Sequence, residues 1–266
     1  MNATLVALIC LLGIFFATTL GSSFVYFFRK PYGEKTNSII VGLASGIMIS
    51  TSFFGLLLPS LEESKEIYDN FLQILPPVIG FILGALLLYA LDKLTPHIHK
   101  NVGGEMQEGI SNAKLSKKMK FFLAVTLHNI PEGIAVGLIC GLAINDFNNA
   151  TMMAALSLAI GIAIQNVPEG SAVSIPLFGD GMSKTKSFLF GTASGAVEPI
   201  FGALALLVSS SLTNAVPYLL SFAAGAMIYV TIDDLIPEFK NGNFGHYGMW
   251  SFIIGFTFMM AMEIIM

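Results

Sequence analysis

The chain has 266 residues, 55% of them hydrophobic and 11% charged, less than half the charged share of an ordinary soluble domain, which excludes a water-soluble globular fold. A formal net charge of −4 argues against nucleic acid as a partner, since that would call for a basic surface. What remains is a chain with runs long enough to cross about 30 Å of hydrocarbon.

Apolar runs cover about 3 to 28, 37 to 58, 76 to 91, 120 to 143, 150 to 177, 187 to 210, 214 to 236 and 245 to 265. They predict eight transmembrane helices in a multi-pass protein of the cell membrane, with the lipid bilayer as its surroundings. The first run has no basic residue ahead of it and exceeds a signal-peptide core, so it is expected to be a retained span. Arg29, Lys30 and Lys35 flank the first connection, and Lys93, Lys100, Lys114, Lys117, Lys118 and Lys120 fill the third. Lys184 and Lys186 lie in the fifth and Lys240 in the seventh, whereas the even-numbered connections hold Lys65 alone. Odd connections are therefore expected in the cytoplasm and both termini outside it.

The polar connection from Asp92 to about Lys118 mixes Gly103, Gly104, Gly109, Ser111 and Ser116 with charges. It reads as a flexible cytoplasmic loop, about 92–118, inside a single transmembrane domain spanning 1–266. Cys10 and Cys140 fall in apolar runs, which suits small packed residues better than a disulfide or a thiolate pair.

Helices 2 and 7 share a pattern. Ala44-Ser45-Gly46-Ile47-Met48-Ile49 leads to Pro59, Glu62 and Glu63, and Ala223-Ala224-Gly225-Ala226-Met227-Ile228 leads to Asp233, Asp234, Pro237 and Glu238. The charge rule sets these two helices in opposite directions, the mark of an inverted repeat. The expected fold is thus an all-α membrane protein of eight spans in a 3+2+3 arrangement, with helices 1–3 repeated as 6–8. Glu62 and Glu63 would then lie at the outer surface and Asp233, Asp234 and Glu238 at the inner one. They read either as entrance and exit carboxylates for a cation or as ordinary solvated helix ends.

The sharpest signal is a repeated hexapeptide. His128-Asn129-Ile130-Pro131-Glu132-Gly133 returns as Gln165-Asn166-Val167-Pro168-Glu169-Gly170, both inside apolar runs. An ionisable residue at that depth costs on the order of 3 kcal/mol, so the repeat predicts a site for something charged. At about 100° per residue, Glu132 falls between His128 and Asn129 on one helix face, and Glu169 likewise between Gln165 and Asn166. With the two stripes facing, each glutamate could bridge two cations. His128, Glu132, Gln165 and Glu169 offer one nitrogen and several oxygens, a set suited to Zn2+ and its neighbours Fe2+, Mn2+, Co2+ and Cd2+. Pro131 and Pro168 each remove a helix hydrogen bond and open space for ligands. Gly133, Gly137 and Gly141 form a small-residue stripe for close helix approach. Similar spacings at Gly42 and Gly46, Gly80 and Gly84, and Gly191 and Gly195 read as plain packing.

Glu198-Pro199 in helix 6 adds a third intramembrane carboxylate, read either as a structural hydrogen bond or as a ligand joining Asn129, Asn166, Glu132 and Glu169 at a second cation. His97 and His99 form a His-x-His pair in the third connection that either passes metal onward or is incidental. His246 has no identifiable partner in the sequence. Two other function classes stand beside transport of divalent metal ions. One is a proton- or sodium-coupled cation exchanger, in which Glu132, Glu169 or Glu198 would carry a proton. The other is an intramembrane zinc hydrolase, which the lack of His-Glu-x-x-His and of an open coordination position disfavours. Besides metal ions and lipid, a second copy of the chain in a homodimer is a candidate partner.

The motifs H-N-I-P-E-G at 128–133, Q-N-V-P-E-G at 165–170 and V-E-P at 197–199 resemble the ZIP (Zrt-, Irt-like protein) family of metal transporters, most nearly its bacterial GufA-type branch. The resemblance implies transport of divalent transition metal toward the cytoplasm through paired sites on helices 4 and 5. It also implies that helices 1, 4, 5 and 6 move as a body against 2, 3, 7 and 8. Many members carry His where this chain has Gln165, a departure expected to weaken zinc preference. The third connection, often histidine-rich in the family, here offers His97 and His99.

Overall fold

The computed structural model describes residues 2–29, 33–94, 97–101, 104–108, 117–145, 148–179, 181–209, 213–240 and 243–265. Among them eight helical spans are long and apolar enough to cross a membrane: α1 Ala3–Tyr26, α2 Glu34–Ile67, α3 Asn70–Leu91, α4 Val125–Asn145, α5 Thr151–Gly179, α6 Lys184–Ser209, α7 Val216–Lys240 and α8 Gly245–Ile265. The helix carrying α4 begins earlier, at Lys117. Of the connection about 92–118 read as a flexible loop, 95–96, 102–103 and 109–116 lie outside the described residues, and within it His97–Asn101 (β1) pairs antiparallel with Gly104–Glu108 (β2), His97 opposite Glu108 and His99 opposite Met106. Cys10 and Cys140 are buried free thiols.

Two spans are interrupted in the same way. A π turn at Thr51–Leu57 widens α2 just after its Ala-Ser-Gly-Ile-Met-Ile stretch, and one at Thr231–Leu235 widens α7 just after Ala-Ala-Gly-Ala-Met-Ile. Each ends two residues before a proline, Pro59 or Pro237. A proline cannot donate to the carbonyl four residues back and its ring crowds that carbonyl, so the preceding turn loosens enough to absorb an extra residue.

The spans pack in four close pairs: α1 along α5, α2 along α8, α3 along α7 and α4 along α6. Glycine makes these approaches possible, because lipid tails supply no hydrophobic drive between helices and the attraction comes from close packing. A Cβ on Gly46 of α2 would collide with the carbonyl of Phe252 on α8, and one on Gly225 of α7 with that of Phe81 on α3. In return Gly255 of α8 sits against the carbonyl of Leu43, and Gly84 of α3 against that of Phe222. An offset of 179 residues carries Leu43 and Gly46 onto Phe222 and Gly225, and one of 171 carries Phe81 and Gly84 onto Phe252 and Gly255. The α2–α8 contact is therefore built again, residue for residue, between α7 and α3. The stripes at Gly42 and Gly46 and at Gly80 and Gly84 serve these two contacts, and the stripe at Gly133 and Gly137 brings α4 onto the backbone of α6 at Glu198 and Gly202.

Candidate metal centre

α4 and α5 run without interruption through Pro131 and Pro168, so both hexapeptides remain helical and their side chains keep helical spacing. His128 lies on α4, and its side chain is outside the described part of the structure. Asn129, Glu132, Gln165, Asn166 and Glu198 are all buried, Glu132 and Glu198 with 0% exposure, and Glu169 is half-buried.

α6 is broken beside the third carboxylate. Its first half, Lys184–Gly195, ends before Ala196, and its second half starts at Val197, with Glu198 and Pro199 in the first turn. Such a break leaves carbonyls free at one helix end and places Glu198 where unpaired N–H groups and the helix dipole favour a carboxylate. Asn129 repairs one side of the break, donating Nδ2 to the carbonyl of Ser194 at 3.0 Å. Glu198 accepts from Thr18 of α1 at 3.0 Å on Oε1 and from Asn166 Nδ2 at 2.9 Å on Oε2. Asn166 Nδ2 also reaches the carbonyl of Ile14, and Gln165 Nε2 donates to Oε1 of Glu132. Four spans, α1, α4, α5 and α6, thus converge on one polar knot.

With the amide N–H groups committed to protein partners, the oxygens are left over. Asn129 Oδ1, Glu132 Oε2, Gln165 Oε1 and Asn166 Oδ1 are buried and accept no hydrogen bond. All four are acceptors, so a donor or a cation satisfies them and another acceptor cannot. The charges of Glu169 and Glu198 both bear on Glu132. No Lys or Arg of these spans offsets them, because residues 121 to 183 and 187 to 239 contain none and neither does α1. Buried carboxylates without a protein cation suit an ion that comes and goes. Among the described residues, which leave out the side chain of His128, no three His, Cys, Asp or Glu side chains stand close enough to hold a metal by themselves.

The sequence profile of the ZIP zinc transporter family matches residues 4–121 and 110–263. The chain belongs to this ZIP family. Relatives include the zinc transporter ZIP11 of Xenopus tropicalis, 33% identical with 93% of each chain covered, and the zinc transporter GufA of Myxococcus xanthus, 35% identical with 88% of each covered. The zinc transporter ZIPB of Bordetella bronchiseptica is 33% identical over 94% of this chain and 77% of its own.

In this ZIP-family chain the peripheral carboxylates lie on α2 and α7, outside the four spans that carry the central knot. Glu62 and Glu63 lie on the helix Leu58–Ile67 that ends α2, Asp233 and Asp234 in the π turn of α7, and Glu238 accepts from Asn37 Nδ2 of α2 at 2.9 Å. His97 and His99 lie on β1, with side chains outside the described part of the structure. His246 lies in the first turn of α8. Sequence reasoning passed over Thr18 and Ser194, because a lone hydroxyl residue in an apolar helix usually bonds its own backbone, and the Glu198 contact of Thr18 depends on how α1 meets α6. It also passed over Glu263, the one acidic residue of α8.

Proposed function

We propose that the protein carries divalent transition-metal ions, zinc first, across the membrane into the cytoplasm through two adjoining sites on α4 and α5. His128, Glu132, Gln165 and Glu169 form the first site. Asn129, Asn166 and Glu198 form the second together with the same two glutamates, which bridge the ions. The observation that carries this reading is the set of four buried acceptor oxygens beside carboxylates that no Lys or Arg neutralises. A mixed imidazole and oxygen donor set without thiolates favours zinc, iron, manganese, cobalt or cadmium and holds them loosely enough to release. The zinc named for the relatives puts zinc at the head of that series.

The orientation follows the distribution of Lys and Arg, which puts both termini outside and the third connection in the cytoplasm, and transport toward the cytoplasm is what the family resemblance implies. The paired contacts of α2 with α8 and of α7 with α3 support the inverted repeat, and the convergence of α1, α4, α5 and α6 on one knot supports their motion as a body against the other four. The deciding experiment is metal accumulation in proteoliposomes across zinc, iron, manganese, cobalt, cadmium and magnesium, wild type against a Glu132→Ala, Glu169→Ala double variant. Uptake of transition metals that the double variant loses is the expected result. No uptake, or uptake that the variant keeps, overturns the reading.

A further inference from the structure

α8 carries one acidic residue, Glu263, in its last turn. Its Oε2 accepts from Ser157 of α5 at 3.1 Å, while its Oε1 is buried with no hydrogen-bond partner. That oxygen faces Gly55 in the π turn of α2, 3.1 Å from where a Cβ would stand, and Leu158 of α5 closes the same spot at 2.9 Å. The carboxylate therefore sits where α5, packed along α1, meets the α2–α8 pair. Ser157 precedes Gln165 by eight residues, about 12 Å along the helix. Between them Leu158 and Ile162 are fully buried, and Gly161 lies against Met259 of α8 and Thr51 of α2, so an apolar layer separates Glu263 from the metal centre.

We propose that Glu263 is a second, outer cation site that also holds the extracytoplasmic side closed: bound to Ser157 the gate is shut, and when α5 withdraws, the freed carboxylate is the first protein ligand an incoming divalent ion meets. This rests on the transport reading and its orientation. The chemistry fits both roles. The Ser157 hydroxyl is a single neutral donor, easily given up, and a carboxylate oxygen buried beside a glycine without a donor is left for a proton or a metal ion. One carboxylate with water makes a weak oxygen site, which passes an ion inward without trapping it.

The two roles separate by substitution in the full-length protein in proteoliposomes. Glu263→Gln keeps an acceptor for Ser157 and nearly the same volume but removes the charge, so the KM for zinc is expected to rise about tenfold with little change in maximal rate. Ser157→Ala keeps the charge and removes the donor. It is expected to raise, several-fold, the rate at which a membrane-impermeant thiol reagent applied from outside labels Thr51→Cys, in a background with Cys10 and Cys140 replaced by Ala. An unchanged KM in Glu263→Gln or unchanged labelling in Ser157→Ala overturns the proposal. Zinc uptake by the wild type, lost in Glu132→Ala, Glu169→Ala, leaves the transport reading standing whichever way Glu263 behaves, and its absence overturns both.

Discussion

Thr18 of α1 and Glu198 of α6 are hydrogen-bonded to each other at 3.0 Å, and they hold equivalent places: the carbonyl of Thr18 lies against Gly170 of α5, and the carbonyl of Glu198 lies against Gly133 of α4. Gly133 and Gly170 close the two copies of the hexapeptide. Each motif helix therefore has its own glycine-backed partner, α6 for α4 and α1 for α5. The partner helices differ in what they present to the centre, a hydroxyl from one and a carboxylate from the other.

That relationship makes Thr18 testable. Thr18→Val keeps the volume and removes the donor, leaving a buried carboxylate oxygen unpaired at a cost of about 1–3 kcal/mol. The melting temperature in detergent without metal is expected to fall by several degrees. Because the hydroxyl no longer competes for Oε1, the stabilisation on adding zinc should be larger than in wild type. Thermal melts with and without zinc check both parts, and an equal zinc shift in the two proteins would show that Glu198 does not reach the ion.

The proposed bridging arrangement separates the glutamates from the asparagines. Glu132→Ala or Glu169→Ala takes a charge from both sites at once and is expected to abolish uptake. Asn129→Ala and Asn166→Ala leave the first site intact and should retain measurable uptake. Asn166→Ala should also lower stability, since Nδ2 of Asn166 serves both Glu198 and the carbonyl of Ile14. Glu198→Ala should alter rate or selectivity more than binding. Initial rates and zinc binding on the same preparations check the ranking, which fails if all three glutamate variants lose transport equally.

Selectivity turns on Gln165. Its Nε2 is spent on Glu132 Oε1 and its Oε1 accepts no hydrogen bond, so it offers a metal a neutral oxygen. Gln165→His replaces that oxygen with an imidazole nitrogen, which zinc prefers over manganese. The zinc-to-manganese ratio of uptake rates is expected to rise about tenfold, equivalent to about 1.4 kcal/mol. Competition between the two metals in one vesicle preparation gives the ratio directly.

The eight spans and the hexapeptides could be read from sequence because both are contrasts of polarity: long apolar runs against charged connections, and carboxylates where hydrocarbon should be. The glycine stripes were equally plain, though their partners were not, since nothing in Gly46 announces Phe252. The π turns have no such contrast, because Pro59 and Pro237 have the sequence of ordinary helix-end prolines and the extra residue before each leaves no mark in polarity. The pairing of β1 with β2 has no such contrast behind it, because both strands lie in one polar, charged connection. Thr18, Ser157 and Glu263 matter only through residues more than 100 positions away in the chain, and periodicity within one helix does not report such pairings.

The contact between α4 and α6 gives the last test. A Cβ on Gly133 would stand 2.7 Å from the Cα of Glu198 and 2.9 Å from its carbonyl carbon, and both are backbone atoms that no rotamer change can move. Gly133→Ala must therefore push α6 away from α4 at the residue that carries the third carboxylate. Overpacking of this kind costs about 1–3 kcal/mol, and here it also displaces Glu198 from Asn166 and Thr18. A lower melting temperature and uptake reduced at least as far as in Glu198→Ala are expected together. Gly13 of α1 is the control, because nothing lies within 4 Å of its Cβ position and alanine is the better helix former there. Gly13→Ala should keep wild-type uptake. If Gly133→Ala keeps it as well, the close seating of α6 on α4 is not what holds Glu198 at the metal centre.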